Sequence, residues 1–305
     1  MVRPVHISPD ALAREDNLIR ARLPLPQSEQ DAARARLTTV LQTTLDLRQL
    51  VSLFFAAVQK VVAIGGLTYR HESHGLKIQI GRNCPHSGEY RLITREDNLG
   101  EIRFTRSQRF SEVELAALEM LISTLVYPLR NALKYREAVQ TALRDPLTGM
   151  GNRAAMQSAL EREVLLARRY QQALSLLVID IDHFKTINDR LGHSSGDQVL
   201  REVAHTIDWV TRQTDMTFRY GGEEFVVVLN NTDDSEAKHI AERVRRAVNE
   251  LAVNSNTGPV HATVSIGCSS LIESDDINSL FERGDKALYQ AKRNGRNQVI
   301  SGRVH

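Results

Sequence analysis

The spacing of apolar residues changes several times along the chain, and each change predicts a different element. From Gln30 to Ala63, Leu37, Val40, Leu41, Leu45, Leu50, Leu53, Phe54 and Val58 recur at three- and four-residue steps, which predicts two helices. The step then drops to two. Leu76–Ile80, Tyr90–Ile93 and Leu99–Phe104 each alternate apolar with polar, and turn residues such as Gly81-Arg82-Asn83 and Glu96-Asp97-Asn98 divide them. Such runs predict an antiparallel sheet with one wet face. From Glu112 a heptad takes over, with Leu115, Ile122, Leu129 and Leu143 at one position and Leu118, Leu125, Ala132 and Val139 at the other. Only Arg136 interrupts the first series, and the pattern predicts a two-stranded coiled coil over residues 112–145. A single helix packed on its own domain is the competing reading, and Pro128 favours a kink.

Pro146, Gly149 and Gly151 end that helix, and a helix to about Tyr170 follows. Leu174–Ile179 is a nearly continuous apolar run, as expected of a strand buried on both faces. Helices over about 183–190 and 196–211, a hairpin over 216–229, a helix over 235–249, a strand over about 260–269 and a helix over 279–293 complete the pattern. The class expected is α+β, a ferredoxin-like palm with helices covering a sheet that contains antiparallel strands. Residues 1–29 are polar, carry Pro4, Pro9, Pro24 and Pro26, and read as an arm or a short extra helix from Asp10 to Arg22. The order of helices, meander and long helix over residues 30–130 resembles a small GAF-type sensory domain, also α+β. A long helix would join it to a catalytic domain over 146–305.

Composition narrows the function classes without choosing one. At 305 residues, 42% hydrophobic and 25% charged, the chain suits two globular domains. A formal net charge of +2 and the lack of a recognisable helix-turn-helix disfavour a nucleic-acid partner. Cys84 and Cys268 lack metal-ligand spacing and read as reduced packing residues. Met1–Asp16 has no apolar h-region, and Ser52, Gln59 and Lys60 break the longest apolar stretch, Val51–Leu67. The expectation is a cytoplasmic chain without membrane insertion.

Chemistry concentrates in the C-terminal half. Gly221 and Gly222 predict a tight turn with positive φ at its centre. Directly after it, Glu223 and Glu224 run into the aliphatic Phe225–Leu229. Adjacent strand residues face opposite sides, so these two carboxylates are not equally solvated, and an acid at a buried strand's mouth calls for a compensating charge such as a metal ion. The Leu174 strand likewise ends on Asp180-Ile181-Asp182. A calcium loop is rejected, because Lys185 stands where the turn glycine belongs and no glutamate closes the loop. No Walker-type glycine loop is present.

Five motifs stand in fixed order: Asp145-Pro146-Leu147-Thr148-Gly149; Asp180-x-Asp182-x-Phe184-Lys185-x-x-Asn188-Asp189; Gly192-His193-x-x-Gly196-Asp197; Arg219–Phe225; and Ala291-Lys292-x-x-Gly295-Arg296-Asn297. Over residues 140–303 the chain resembles the GGDEF family of diguanylate cyclases, with Glu223 as the family's common replacement for Asp. The resemblance implies condensation of two GTP molecules into cyclic di-GMP with release of two pyrophosphates, catalysed mainly by positioning and charge neutralisation. It implies Mg²⁺ or Mn²⁺ held by Asp180, the Ile181 carbonyl and Glu223, with Glu224 helping at a second ion. Glu223 is the candidate base for the 3′-hydroxyl, and activation by the metal ion without it stays open. By the same resemblance Lys185 neutralises charge growing on the phosphates, while backbone N–H groups at His183 and Phe184 cradle them. Lys292 and Arg296 would reach the phosphates from the other side and, four apart, would share one helical face if the helix beginning near Ser279 continues that far. Asn188 and Asp197 would read guanine, with His193 nearby, and Asp197 favours GTP over ATP.

Arg212-Gln213-Thr214-Asp215 stands where the family has its product-inhibition site. Arg243 matches the arginine that a neighbouring domain contributes there. Since one site holds one GTP, the resemblance also implies a working homodimer regulated by the N-terminal domain. Singly, each residue has a plainer reading: His193 as a packed histidine, Asn188 as a loop amide, Lys292 and Arg296 as a basic helix end, and Asp182 and Asp189 as caps or surface charges. For the two aspartates the plainer reading is preferred. The competing functions are a non-catalytic cyclic di-GMP receptor using Arg212 and Asp215, and a different nucleotidyltransferase. Retention of the carboxylates speaks against the first, and the triphosphate consumed would separate the second.

Overall fold

The computed structural model describes residues 3–6, 27–255 and 258–302. The expected helix from Asp10 to Arg22 lies outside the described residues. The chain divides into two units, Met1–Val139 and Gln140–His305.

In the first unit β1 (Arg3–His6), β2 (Gly66–His71), β3 (Leu76–Gly81), β4 (His86–Ile93) and β5 (Asn98–Arg106) form a sheet in the order β1-β4-β5-β2-β3. All pairings are antiparallel except β1 with β4. Helices α1 (Gln27–Leu41), α2 (Leu47–Val58) and α3 (Glu112–Ala142) accompany it. Asp46 caps α2 by accepting the Gln49 N–H at 2.7 Å. Tyr69, Tyr90, Phe54 and Phe104 are fully buried in the core.

That core also takes in Leu118, Ile122, Leu125, Leu129 and Ala132 of α3, residues expected to form a coiled-coil seam. Leu121, Val126 and Leu133 are buried beside them, so the apolar stripe is wider than a two-position seam. A wide stripe is what a helix uses to cover its own domain. Over this stretch the competing reading holds, and α3 runs through Pro128 without ending.

In the second unit the sheet order is β12-β11-β6-β8-β7, with β6 (Leu174–Ile181) at its centre, antiparallel to both β11 (Val264–Ser270) and β8 (Glu224–Asn230). β7 (Met216–Arg219) and β12 (Val299–Ser301) are its edges. Leu177, Ile179 and Ile181 join a core with α5 (Phe184–Leu191), α6 (His193–Val210) and α7 (Asp234–Asn249). Leu174, Leu176 and Val178 join another with α4 (Arg153–Tyr170) and α8 (Ile277–Arg293). Burial on both faces explains the unbroken apolar run of β6. This is the mixed α and β palm that was expected. The hairpin of β9 (Ala252–Ser255) and β10 (Gly258–His261) had no sequence signal, being two strands of four residues each.

Candidate active site

Asp180 shares its parity on β6 with Leu176 and Val178, so it faces the α4–α8 side of the sheet. Its register partner on β8 is Glu224, and the next N–H along, that of Ile181, donates to the Glu223 carbonyl at 3.2 Å. The two acidic segments therefore meet at one end of one strand pair. Asp180 is buried, 4% exposed, and Lys292 in the last turn of α8 reaches it at 2.7 Å. Burial pushes the Asp180 carboxyl above its ordinary range even against the pull of Lys292. Burial likewise raises Glu223 and Glu224, and the negative charge of Asp180 adds to both. Burial is the larger cause at all three, and it prevails over Lys292 at each, over Arg296 at Asp180 and over Arg153 at Glu224.

The turn before Glu223 differs from expectation. Neither Gly221 nor Gly222 has positive φ. The Tyr220 N–H donates to the Glu224 carbonyl at 2.8 Å, which makes the loop longer than two residues. Gly221 is needed for space, since a Cβ there would lie 2.3 Å from the Glu224 carboxylate, whereas Gly222 has open space. Arg219 holds the loop in place. One of its nitrogens donates to both Asp145 oxygens at 3.1 Å and another to the Gly222 carbonyl at 2.7 Å. Asp145 is fixed in turn by the Thr148 N–H at 2.9 Å and hydroxyl at 2.8 Å. Their place in two motifs separated by 74 residues was the only signal for this clamp.

After β6 the chain turns through His183, whose φ of 56° is left-handed, and enters α5. His183 and Lys185 are exposed and Phe184 is buried. The helix N-terminus there offers unpaired N–H groups. Asn188, four residues on, has a buried Oδ1 without a partner. Gly196 makes room for it, because a Cβ there would come within 1.8 Å of that oxygen. Asp197 is half-buried beside Gly196, and His193 is exposed at the start of α6.

Two expectations need correction. α8 ends at Arg293, so Arg296 does not share a helical face with Lys292; it lies beyond the helix at φ 63°, its charge still felt by Asp180. Asp182 is no surface charge. It is 4% exposed and accepts from the Thr263 and Ser265 hydroxyls at 2.7 Å and the Asn297 N–H at 3.0 Å, pinning the turn after β6 to β11 and to the loop that carries Arg296. Asp189 is exposed.

At the far end of α6, Asp215 is buried and accepts the Arg212 N–H at 2.9 Å through one oxygen, while the other has no partner. Burial raises its pKa against the nearby charges of Arg212 and Arg243. Arg243 donates to the Val210 carbonyl at 2.5 Å. Within one chain its charge already reaches Asp215.

Among the described residues no three His, Cys, Asp or Glu side chains form a ready metal cage. The donors at the strand ends, two or three carboxylates and a backbone carbonyl, are hard oxygens, and burial, with the charge of Asp180 added at Glu223 and Glu224, raises the pKa of the carboxyls. That set fits Mg²⁺ or Mn²⁺ with most ligands left to water or phosphate. No described helix is long and apolar enough to cross a membrane.

Comparison with known proteins agrees with this geometry. The model of the diguanylate cyclase GGDEF domain matches residues 142–298, just over half of the chain. The chain belongs to this family. Diguanylate cyclase DgcS of Shewanella oneidensis is 32% identical over 257 residues, covering 84% of each protein. Diguanylate cyclase A of Treponema denticola is 50% identical over 130 residues, but the match spans 42% of this chain and only 35% of that protein. Among solved structures, the coiled coil and GGDEF domain of DgcB from Caulobacter crescentus, in complex with c-di-GMP, superposes with a TM-score of 0.55 at 33% identity. It covers 61% of this chain and 98% of that one.

Proposed function

We propose that this chain condenses two GTP molecules into cyclic di-GMP and two pyrophosphates, each copy binding one GTP and two copies facing each other. The observation that carries this reading is the meeting of Asp180, Glu223 and Glu224 at one strand-pair end, where Lys292 pairs with Asp180 and burial still raises all three carboxyls. Asp180, the Ile181 carbonyl and Glu223 would hold one Mg²⁺, with Glu224 toward a second, and bound metal would neutralise phosphate charge. The chain's own groups do the rest. N–H groups at His183 and Phe184 receive phosphate oxygens, Lys185, Lys292 and Arg296 stabilise the charge that grows in transfer, and Glu223 accepts the 3′-hydroxyl proton. The orphaned Asn188 oxygen takes a guanine N–H, and Asp197 another.

Arg212, Asp215 and Arg243 form a second site that binds cyclic di-GMP and slows turnover, and the N-terminal unit is a GAF-like regulator in a cytoplasmic homodimer. Incubation with Mg²⁺ tests the reaction: GTP, not ATP, should yield cyclic di-GMP. Glu223→Ala should lower the rate by at least about a thousandfold with the melting transition retained. A folded Glu223→Ala chain that keeps its rate would overturn the assignment.

A further inference from the structure

Trp209 is the chain's only tryptophan and is 80% exposed. A large ring left this open on a globular surface is uncommon, because aromatic rings carry much of the area that folding and binding bury. Tyr170 and Tyr289, the other strongly exposed rings of this unit, lie under Arg169 at 5.5 Å and Arg293 at 5.9 Å. Among the described residues no such cover is seen for Trp209.

Its position is specific. Trp209 sits in the last turn of α6, opposite the buried Val203 and Ile207, one residue before Val210. The Val210 carbonyl receives Arg243 at 2.5 Å. Consecutive Cα atoms are about 3.8 Å apart, so an indole on residue 209 is within side-chain reach of that arginine. Two residues after Val210 comes the exposed Arg212. Its backbone N–H holds one oxygen of Asp215, while the second oxygen, on a residue only 9% exposed, has no partner. An unpaired buried acceptor and two guanidinium groups thus gather at the C-terminal end of the helix whose last turn carries an uncovered aromatic face. The acceptor suits the N–H edge of a base and the guanidinium groups suit phosphate. An open indole suits a base's flat face, since base–aromatic stacking is favourable for any base.

We propose that Trp209 is a stacking platform for a guanine held at the Arg212, Asp215 and Arg243 site, so that the base is gripped by face as well as edge. The inference rests on the reading of that cluster as the cyclic di-GMP site. Asp215 selects guanine, and Trp209 adds affinity without selecting.

Because there is one tryptophan, its emission reports this site alone. Cyclic di-GMP is titrated into the full chain, followed by fluorescence and by calorimetry, for the wild type, Trp209→Leu, Trp209→Phe and Arg212→Ala. The expected result is quenching of the wild type at the calorimetric midpoint, and roughly tenfold weaker binding for Trp209→Leu. Trp209→Phe, which keeps an aromatic face, should recover most of that loss, and Arg212→Ala should lose both binding and quenching. If the wild type binds with its emission unmoved and Trp209→Leu binds equally well, the stacking role is wrong and the product site stands. If calorimetry detects no binding to the wild type, the product-site reading itself falls and the stacking role with it. Trp209 is exposed, so the Leu and Phe variants should melt as the wild type does, which keeps a change in affinity separate from unfolding.

Discussion

Glu223 shows how a single residue can oppose folding in order to serve a site. Burial and the Asp180 charge raise its pKa above the ordinary carboxylate value. A carboxyl with raised folded pKa favours the native state only while protonated, so its contribution is lost as pH climbs through that value. At neutral pH the ionised side chain works against the metal-free fold. Glu223→Gln should therefore raise the melting temperature of the metal-free chain by on the order of 1–3 °C, and the gain should shrink as pH falls through the raised folded pKa toward the ordinary carboxylate value. Differential scanning fluorimetry across pH measures both; a drop in melting temperature at pH 7 would contradict the electrostatic account. The convergence of Asp180, Glu223 and Lys292 was legible from motif spacing. What escaped was set by contacts distant in sequence. Asp182 looked like a surface charge because its partners Thr263, Ser265 and Asn297 lie 81 or more residues away. That α7 brings Arg243 to the Val210 carbonyl was likewise hidden, because the two residues stand 33 apart in sequence.

At the scale of elements, two contacts set how closely α8 lies on the sheet. A Cβ on Gly267 of β11 would come within 2.0 Å of the Gly284 carbonyl and 2.4 Å of the Leu288 nitrogen. Both are backbone atoms of a helix and cannot swing aside. Gly267→Ala should cost about 3 kcal/mol, seen as a fall of roughly 6–12 °C in the melting temperature of this unit, and should displace Lys292 along with its helix. Before that helix, Asp275 is a buried anchor that accepts from Arg283, the Ser279 hydroxyl at 3.0 Å and the Ile272 N–H at 3.0 Å. Burial works to raise its pKa, but these donors outweigh burial and leave it below the ordinary carboxylate value. The sign is therefore opposite to that of Glu223: its contribution is present above the unfolded pKa and lost as pH falls through the depressed folded one. Asp275→Asn should destabilise the chain by about 2 kcal/mol at pH 7, and the gap between the two chemical-denaturation curves should narrow once pH falls below the ordinary carboxylate value. A gap that stays constant below that value would rule out the charge as its source. The strong periodic elements were readable, β6 and α8 among them. The β9–β10 hairpin and β12 were not, because strands of three or four residues carry too little alternation to register.

For the whole molecule the question is what brings two nucleotide sites together. Along α3 the heptad stripe from Leu118 to Ala132 is spent in the core of its own unit, so it is closed to a partner in this fold. Beyond Leu133 the same helix is exposed, with Tyr135 at 53% and Val139 at 37%, and two exposed apolar residues are a short seam for a stable dimer. If the proposed pairing rested on this segment it would be weak, and the proposed turnover would then depend on chain concentration. If each copy supplies one GTP, product forms only in the paired fraction, and the rate per chain should rise with concentration through the dissociation constant and level well above it. Rates measured at saturating GTP across about a thousandfold range of chain concentration, compared with mass measured by light scattering, would give two curves with a common midpoint. A rate per chain that is constant down to the lowest concentration, with mass reading as monomer, would mean that one copy completes the reaction unaided. Arg136→Leu restores the interrupted heptad position beside Tyr135 and Val139 and should move both midpoints to lower concentration together. Movement of the mass curve alone would show that the paired helices do not bring the two sites into register.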